Sequence, residues 1–372
     1  MRALFVCGGT AGHIYPAIAV ADRLRERFPE GEFLFVGVDG AMETRLVPRE
    51  GYEIKTLKVT GLRRSVKPKD LVYNAKALWY SQTARSRARR ILKAFRPDVV
   101  LGTGGYVCYP VCRAAHSLGI PTLIHESNAV PGLTTKMLEK HVDRVLVGFE
   151  ESRAHYRQPE KITVTGTPVR KGFTSLSRGE ARKAIGYTDA RPLLLSFWGS
   201  LGASRMNELT VGLMARNEAE GVFRQVHASG EREEARMRGM MEARGLQEPR
   251  FTELRPFIYD MPTLMAAADL VLCRAGASTV AELCATGTPC LLVPSPNVTN
   301  NHQEKNARVL EARGGALVLT EAECSEERLF DLVRVTVTDP AKIAAMSAAM
   351  LELGRPEAVE NIVETVLSLV KA

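Results

Sequence analysis

Twice in this 372-residue chain an apolar strand runs into a glycine-rich turn and then into a helix. The first case is Leu4-Phe5-Val6-Cys7 followed by Gly8-Gly9-Thr10-Ala11-Gly12-His13. The second is Leu193-Leu194-Leu195-Ser196-Phe197 followed by Trp198-Gly199-Ser200-Leu201-Gly202-Ala203. A strand that is apolar almost throughout must be covered on both faces, as in a parallel sheet flanked by crossover helices. Two such openings about half a chain apart predict two nucleotide-fold halves with a cleft between them.

The rest of the pattern agrees. Further strands are expected at 33–36, 98–101, 122–125 and 144–147. After Thr163-Val164-Thr165-Gly166 the pattern restarts, with strands at 193–197, 223–227, 270–273, 290–293 and 316–319. Helices alternate with them. Apolar residues at 14, 17, 18, 21 and 24 have helical spacing, and Pro16 falls in a first turn, where its missing N–H costs little. Other helical stretches are 75–95, 132–140 and 302–312. The expected boundary lies near residue 165, giving domains 1–165 and 166–356. An amphipathic terminal helix follows over 357–372, carrying Ile362, Val363, Val366, Leu367 and Val370.

Composition narrows the class. With 45% apolar and 25% charged residues the chain reads as soluble and globular. No apolar run approaches the roughly 20 residues of a membrane span, and Ala3–Cys7 breaks into glycines as a strand would, not a signal peptide. Seven cysteines form no C-x-x-C pair, and buried reduced thiols in a cytosolic protein are expected. Charge is uneven: residues 1–165 hold 26 Lys/Arg against 16 Asp/Glu, and residues 166–372 hold 24 against 26. Residues 62–96 alone carry 11 Lys/Arg and one acid, Asp70, interleaved with Leu71, Val72, Leu78, Trp79 and Tyr80. Such a segment suits an anionic membrane surface. A solvated basic helix is the plainer reading, and nucleic acid is disfavoured because no stacking or groove-reading motif accompanies it.

Several strand ends carry chemistry. His13 stands at a helix N-terminus, where the dipole favours a neutral imidazole able to accept a proton; a structural histidine is the alternative. Gly102-Thr103-Gly104-Gly105-Tyr106 ends another strand of the same half, and two such turns would face one crevice unless they are only tight turns. His125-Glu126-Ser127-Asn128 puts polar groups at a strand end, either for function or for capping by Ser127 or Asn128. Arg170, in Thr165-Gly166-Thr167-Pro168-Val169-Arg170, reads as a phosphate clamp or a linker arginine. In Cys273-Arg274-Ala275-Gly276-Ala277-Ser278-Thr279-Val280-Ala281-Glu282, small residues lead into a helix start where a diphosphate can reach N–H groups. Glu282 suits a ribose hydroxyl, although Thr279 and Glu282 also have capping-box spacing. Amides and a carboxylate in Asn301-His302-Gln303-Glu304-Lys305-Asn306 suit sugar hydroxyls or an ordinary helix start.

Taken in order, GGTAGHIYPAIAVA (8–21), GTGGYV (102–107), HESNAVPGLTTKML (125–138), TGTPVR (165–170), WGSLGASRMNE (198–208), FIYDM (257–261), CRAGASTVAELCATGTPCLLVP (273–294) and HQEKNA (302–307) resemble the MurG family of peptidoglycan glycosyltransferases over nearly the whole chain. The resemblance implies an α/β GT-B fold of two Rossmann-like domains facing a cleft. It implies inverting transfer of N-acetylglucosamine from UDP-GlcNAc to the MurNAc 4-hydroxyl of undecaprenyl-pyrophosphoryl-MurNAc-pentapeptide, lipid I to lipid II. The donor site would then comprise Thr10, Ala11, Gly12, Asn128, Arg170, Ser200, Ile258, Ala277, Ser278, Thr279, Val280, Ala281, Glu282 and Gln303. The acceptor side would use Gly104, Gly105, Tyr106 and Glu126, and His13 would be the base. Neither cofactor nor metal is expected. The protein would sit peripherally on the cytoplasmic face of the inner membrane, docked through 62–96, and its terminal helix would return to the first domain. Departures from the family pattern are Ala11, Ser127, Thr167 and Trp198, of which Ala11 and Trp198 are expected to narrow the room near phosphate. The rival readings are a diacylglycerol-using glycolipid synthase and a non-catalytic recruiting relative. A dehydrogenase is disfavoured because no G-x-G-x-x-G dinucleotide fingerprint is present.

Overall fold

The computed structural model describes residues 1–60, 68–199 and 202–370, without the side chains of 68–79, 81, 82 and 299. Ser200 and the first part of the basic segment, 62–67, lie outside the described residues. So do the side chains of Leu78 and Trp79.

The chain divides into two compact units, Met1–Arg170 with Arg355–Ala372, and Lys171–Gly354. The first holds a seven-stranded sheet of β1 (Arg2–Cys7), β2 (Glu32–Val38), β3 (Glu53–Leu57), β4 (Val99–Gly104), β5 (Thr122–Glu126), β6 (Arg144–Val147) and β7 (Ile162–Val164). Its strand order is β3-β2-β1-β4-β5-β6-β7, parallel throughout. The second unit holds β8 (Leu193–Phe197), β9 (Arg224–Ala228), β10 (Thr252–Arg255), β11 (Leu270–Cys273), β12 (Cys290–Leu292) and β13 (Ala316–Val318). Their order is β10-β9-β8-β11-β12-β13, again parallel. β3 and β10 were not anticipated. Both are edge strands with polar alternation, Glu53-Ile54-Lys55-Thr56-Leu57 and Thr252-Glu253-Leu254-Arg255, because an edge strand does not need apolar residues on both faces.

Alternate residues of β1 enter opposite faces of its sheet. Ala3, Phe5 and Cys7 pack with Ile14, Ile18 and Leu24 of the helix Ala11–Arg27, and Phe5 stacks on Phe35 at 5.0 Å. Leu4 and Val6 pack on the other face with Ala84, Ala88 and Leu92 of the helix Pro68–Phe95. The terminal helix Ala358–Val370 joins the first of these clusters through Ile362, Val363, Val366 and Leu367, and Glu360 pairs with Arg23 and Arg27 of Ala11–Arg27. All seven cysteines are buried and free, and burial pushes each thiol's pKa up, to about 12 for Cys108 and about 11 for Cys324.

Each sheet reverses its winding direction once, between β1 and β4 and between β8 and β11. Ligands of open parallel sheets bind outside the strand ends at such switch points. The described loop residues there are 8–10 and 104–107 in the first unit, and 198, 199, 202, 203 and 274–276 in the second.

Candidate functional site

In the first unit, β1 and β4 hold register from Ala3 opposite Val99 to Val6 opposite Gly102, then slip so that Cys7 faces Gly104. The slip leaves Thr103 outside the register, and its Oγ–H donates to the His13 carbonyl at 2.6 Å. This bulge brings the second glycine turn against the first. A Cβ at Gly104, where φ is +130°, would lie 2.3 Å from His13 Cδ2 and 2.7 Å from Nε2. A Cβ at Gly105 would lie 2.5 Å from the Gly8 carbonyl oxygen. The two turns therefore do face one place, and the His13 ring lies against bare backbone.

The ring's tautomer follows from its partner. His13 Nδ1 is 2.9 Å from the Gly8 carbonyl, which only accepts. Nδ1 therefore carries the proton, Thr10 Oγ1 at 3.3 Å can serve as a second acceptor, and Nε2 of the neutral ring keeps a lone pair. His13 is half-buried, so a hydroxyl can reach it.

Two backbone N–H groups at and near the first turn are already taken by a side chain of the chain itself. The Gly9 N–H donates to Glu43 Oε2 at 3.0 Å, and the Val38 N–H donates to Oε1 at 2.7 Å. Glu43 is fully buried. Nothing local in the sequence marked it, since Gly9 lies 34 residues away.

Glu126 is also buried, and its carboxylate is used four times. Oε1 accepts from the Asn128 N–H at 3.0 Å and from Asn128 Nδ2 at 2.8 Å. Oε2 accepts from the Gly132 N–H at 2.8 Å and from Thr135 Oγ at 2.9 Å. This ties the 127–135 loop into one body and fixes where Asn128 stands. Ser127 and Asn128 cap no helix, because the next one, Leu133–Leu138, has Gly132 as its N-cap. His125 donates from Nε2 to the Gly166 carbonyl at 2.9 Å and receives Ser127 Oγ–H on Nδ1 at 3.3 Å. Burial holds its pKa below the usual histidine range, so it is a neutral strut. Tyr106 is well exposed. Arg170 lays its guanidinium over the Tyr15 ring at 4.3 Å.

In the second unit the helix Ala277–Thr286 starts at Gly276, and no side chain caps it. Thr279 lies inside the first turn, so the capping-box reading of Thr279 and Glu282 does not hold. A helix start of this kind presents N–H groups that have no acceptor within the helix, together with the positive end of its dipole. Ala277, Ser278, Thr279, Val280, Ala281 and Glu282 all lie in its first two turns.

The surrounding loops are braced. Asn306 Nδ2 donates to the Ala275 carbonyl at 3.3 Å. Arg274 donates to the Val293 and Pro294 carbonyls at 3.1 and 3.2 Å and pairs with Glu321 at 2.6 Å. Gln303 Oε1 accepts the Ser295 N–H at 2.8 Å, and the Ile258 side chain is buried.

Trp198 does not narrow the glycine turn as expected. It is 3% exposed, packs in the core, and donates its indole N–H to Thr210 Oγ at 3.1 Å. Beneath that turn runs a buried polar network. Gln225 Nε2 donates to Ser196 Oγ at 2.9 Å, Ser196 Oγ lies 2.8 Å from His227 Nδ1, and His227 Nε2 lies 3.2 Å from Asn207 Oδ1. Asn207 Nδ2 in turn donates to the Ser229 carbonyl at 3.0 Å. Sequence reasoning passed over this network, since its members read as ordinary strand and helix residues.

Among the described residues no group of three or more His, Cys, Asp and Glu side chains is placed to hold a metal ion. Among them, too, no helix is long and apolar enough to cross a membrane.

The glycosyltransferase family 28 N-terminal domain matches residues 3–147, and the glycosyltransferase family 28 C-terminal domain matches residues 193–362. A UDP-N-acetylglucosamine–N-acetylmuramyl-(pentapeptide) pyrophosphoryl-undecaprenol N-acetylglucosamine transferase from Acetivibrio thermocellus is 41% identical over 371 residues, covering 100% of this chain and 99% of the relative. A transferase of the same name from Listeria welshimeri is 40% identical over 372 residues, with 100% of each covered. Among solved structures, MurG from Acinetobacter baumannii superposes with a TM-score of 0.76 at 27% identity, covering 99% of both chains.

Proposed function

The chain belongs to glycosyltransferase family 28, and from that membership we propose how its residues divide the work of one reaction. The reaction is transfer of N-acetylglucosamine from UDP-GlcNAc to undecaprenyl-pyrophosphoryl-MurNAc-pentapeptide, converting lipid I to lipid II in peptidoglycan synthesis. The two parallel-sheet units are the α/β GT-B fold expected from the sequence.

Transfer proceeds by direct displacement with inversion. The MurNAc 4-hydroxyl oxygen attacks the anomeric carbon of GlcNAc, the bond from that carbon to the diphosphate oxygen breaks, and UDP leaves. His13 Nε2 takes the hydroxyl proton. The observation that carries this role is the bond between Nδ1 and the Gly8 carbonyl, which leaves Nε2 as the proton acceptor at the switch point of the first sheet. Negative charge grows on the leaving diphosphate. The start of the helix Ala277–Thr286 stabilises it with N–H groups already oriented, and Arg170 and Ser200 add to it. Glu282 takes the ribose hydroxyls, the Ile258 backbone takes the uracil edge, and Gln303 takes the sugar. Thr10, Ala11, Gly12 and Asn128 complete the donor contacts. Gly104, Gly105 and Tyr106 receive the acceptor, and Glu126 acts by holding the Asn128 loop in place.

The protein works peripherally at the cytoplasmic face of the inner membrane, held to anionic lipid by residues 62–96. The support for this is the 11 Lys/Arg against one acid in that segment and the membrane-bound nature of the acceptor. Leu78→Ser with Trp79→Ser should release the protein from anionic vesicles, and unchanged binding would remove the docking role.

The activity is tested by offering labelled UDP-GlcNAc with a short-chain lipid I analogue in one arm and diacylglycerol in the other. Transfer to the lipid I analogue alone is expected. Transfer to diacylglycerol alone would reassign the acceptor.

A further inference from the structure

Glu43 is a buried carboxyl group that the reaction scheme leaves unused. It opens the short helix Glu43–Arg49 after β2 and has no exposed surface. The chain makes room for it with two glycines: a Cβ at Gly37 would lie 2.4 Å from Glu43 Cγ, and one at Gly8 would lie 2.6 Å from Oε1. Its Oε2 accepts the Gly9 N–H at 3.0 Å, and the Gly8 carbonyl accepts His13 Nδ1–H at 2.9 Å. That N–H and that carbonyl are the two ends of one peptide group.

We propose that Glu43 is a positioning residue for His13, acting through the Gly8–Gly9 peptide as a carboxylate–peptide–imidazole relay. Hydrogen bonds in a chain polarise one another. A carboxylate on the N–H end makes the carbonyl end a stronger acceptor, which fixes the Nδ1–H tautomer and favours the imidazolium formed when Nε2 takes the substrate proton. The same contact occupies the Gly9 N–H with a carboxylate oxygen of the chain itself. The groups in contact with the ring are Thr10, Gly104 and the Gly8 carbonyl, and His125 of β5 is held toward its neutral form by burial. None of these is a carboxylate in contact with the ring, so the relay brings in negative charge that no direct partner supplies.

This inference rests on His13 being the base, so its test has two separate readouts. The full-length protein is labelled with 15N-histidine, and the His13 ring nitrogens, assigned by their loss in His13→Ala, report the tautomer. Turnover with the lipid I analogue reports catalysis. In Glu43→Gln, which keeps the volume but cannot accept both N–H groups, the Nδ1–H preference is expected to fall. Turnover should drop roughly 10-fold or more, with the KM for UDP-GlcNAc unchanged. Glu43→Ala should show the same effects, more strongly, if it folds. An unchanged tautomer in folded Glu43→Gln overturns the relay, whatever the turnover. A changed tautomer together with full activity in His13→Ala supports the relay and instead removes His13 as base.

Discussion

Replacing Gly104 with alanine acts directly on the position of His13. The added Cβ would lie 2.3 Å from His13 Cδ2 and 2.7 Å from Nε2, where ordinary contact begins at 3.4 Å. The ring must therefore retreat by about 1 Å, which stretches the 2.9 Å bond from Nδ1 to the Gly8 carbonyl beyond hydrogen-bonding range. Misplacement of a catalytic group by about 1 Å costs on the order of 10²-fold in rate. The backbone adds its own penalty, because φ is +130° at this residue, a conformation that costs a non-glycine residue about 1–3 kcal/mol. Gly119→Ala is the control. Its φ is +69°, and no atom lies within 4 Å of the new Cβ, so it carries a backbone cost of about 1 kcal/mol and nothing at the site. The assay is steady-state transfer to the lipid I analogue, with urea unfolding of the same preparations. Gly104→Ala should lose turnover on the order of 10²-fold with an unchanged KM for UDP-GlcNAc, while Gly119→Ala keeps full turnover. If Gly104→Ala turned over like Gly119→Ala at similar stability, the contact with His13 would not govern the reaction.

Other consequences concern stability. Ile362→Ala in the terminal helix should cost the first unit about 2–5 kcal/mol by urea titration, because Ile362 is fully buried against the helix Ala11–Arg27. Glu360→Ala should cost far less, since its partners Arg23 and Arg27 are solvated. His227 is held by burial at a pKa of about 3 against 6.5 when unfolded. Its native state therefore stays neutral while the unfolded chain takes up a proton. The stability present above pH 6.5 is lost as pH falls toward 3, by about 2 kcal/mol between pH 7 and 5 in unfolding titrations, and His227→Gln should flatten that slope. Arg274→Ala leaves the half-buried Glu321 without its partner and frees two loop carbonyls. It should destabilise the second unit by about 3–5 kcal/mol in chemical denaturation.

The central strands were legible because a strand buried on both faces must be apolar throughout, as Leu193–Phe197 and Leu270–Cys273 are. Edge strands β3 and β10 carry no such demand and left no strand signal of that kind. The glycine turns were legible as turns, and the meeting of 8–9 with 104–105 followed from adjacent parallel strands. What each polar residue does there was less legible, since hydrogen-bond partners are set in space and not along the chain. Glu126 read as a group facing a substrate, yet it spends all its bonds on residues 128–135. Glu43 had no local signature because its partners come from β2 and from a turn 34 residues earlier. Trp198, as a departure from the family pattern, suggested crowding near phosphate, but its side chain turns into the core toward Thr210. Spacing gave Thr279 and Glu282 the form of a capping box, while the helix begins earlier, at a glycine that leaves its start uncapped.

The most direct test is transfer of labelled GlcNAc to the short-chain lipid I analogue by the wild type and by His13→Ala, with UDP-GlcNAc affinity measured alongside. The account predicts transfer by the wild type, a loss of roughly 10²-fold or more in the variant, and equal donor affinity in both. Equal turnover by the two proteins would contradict it.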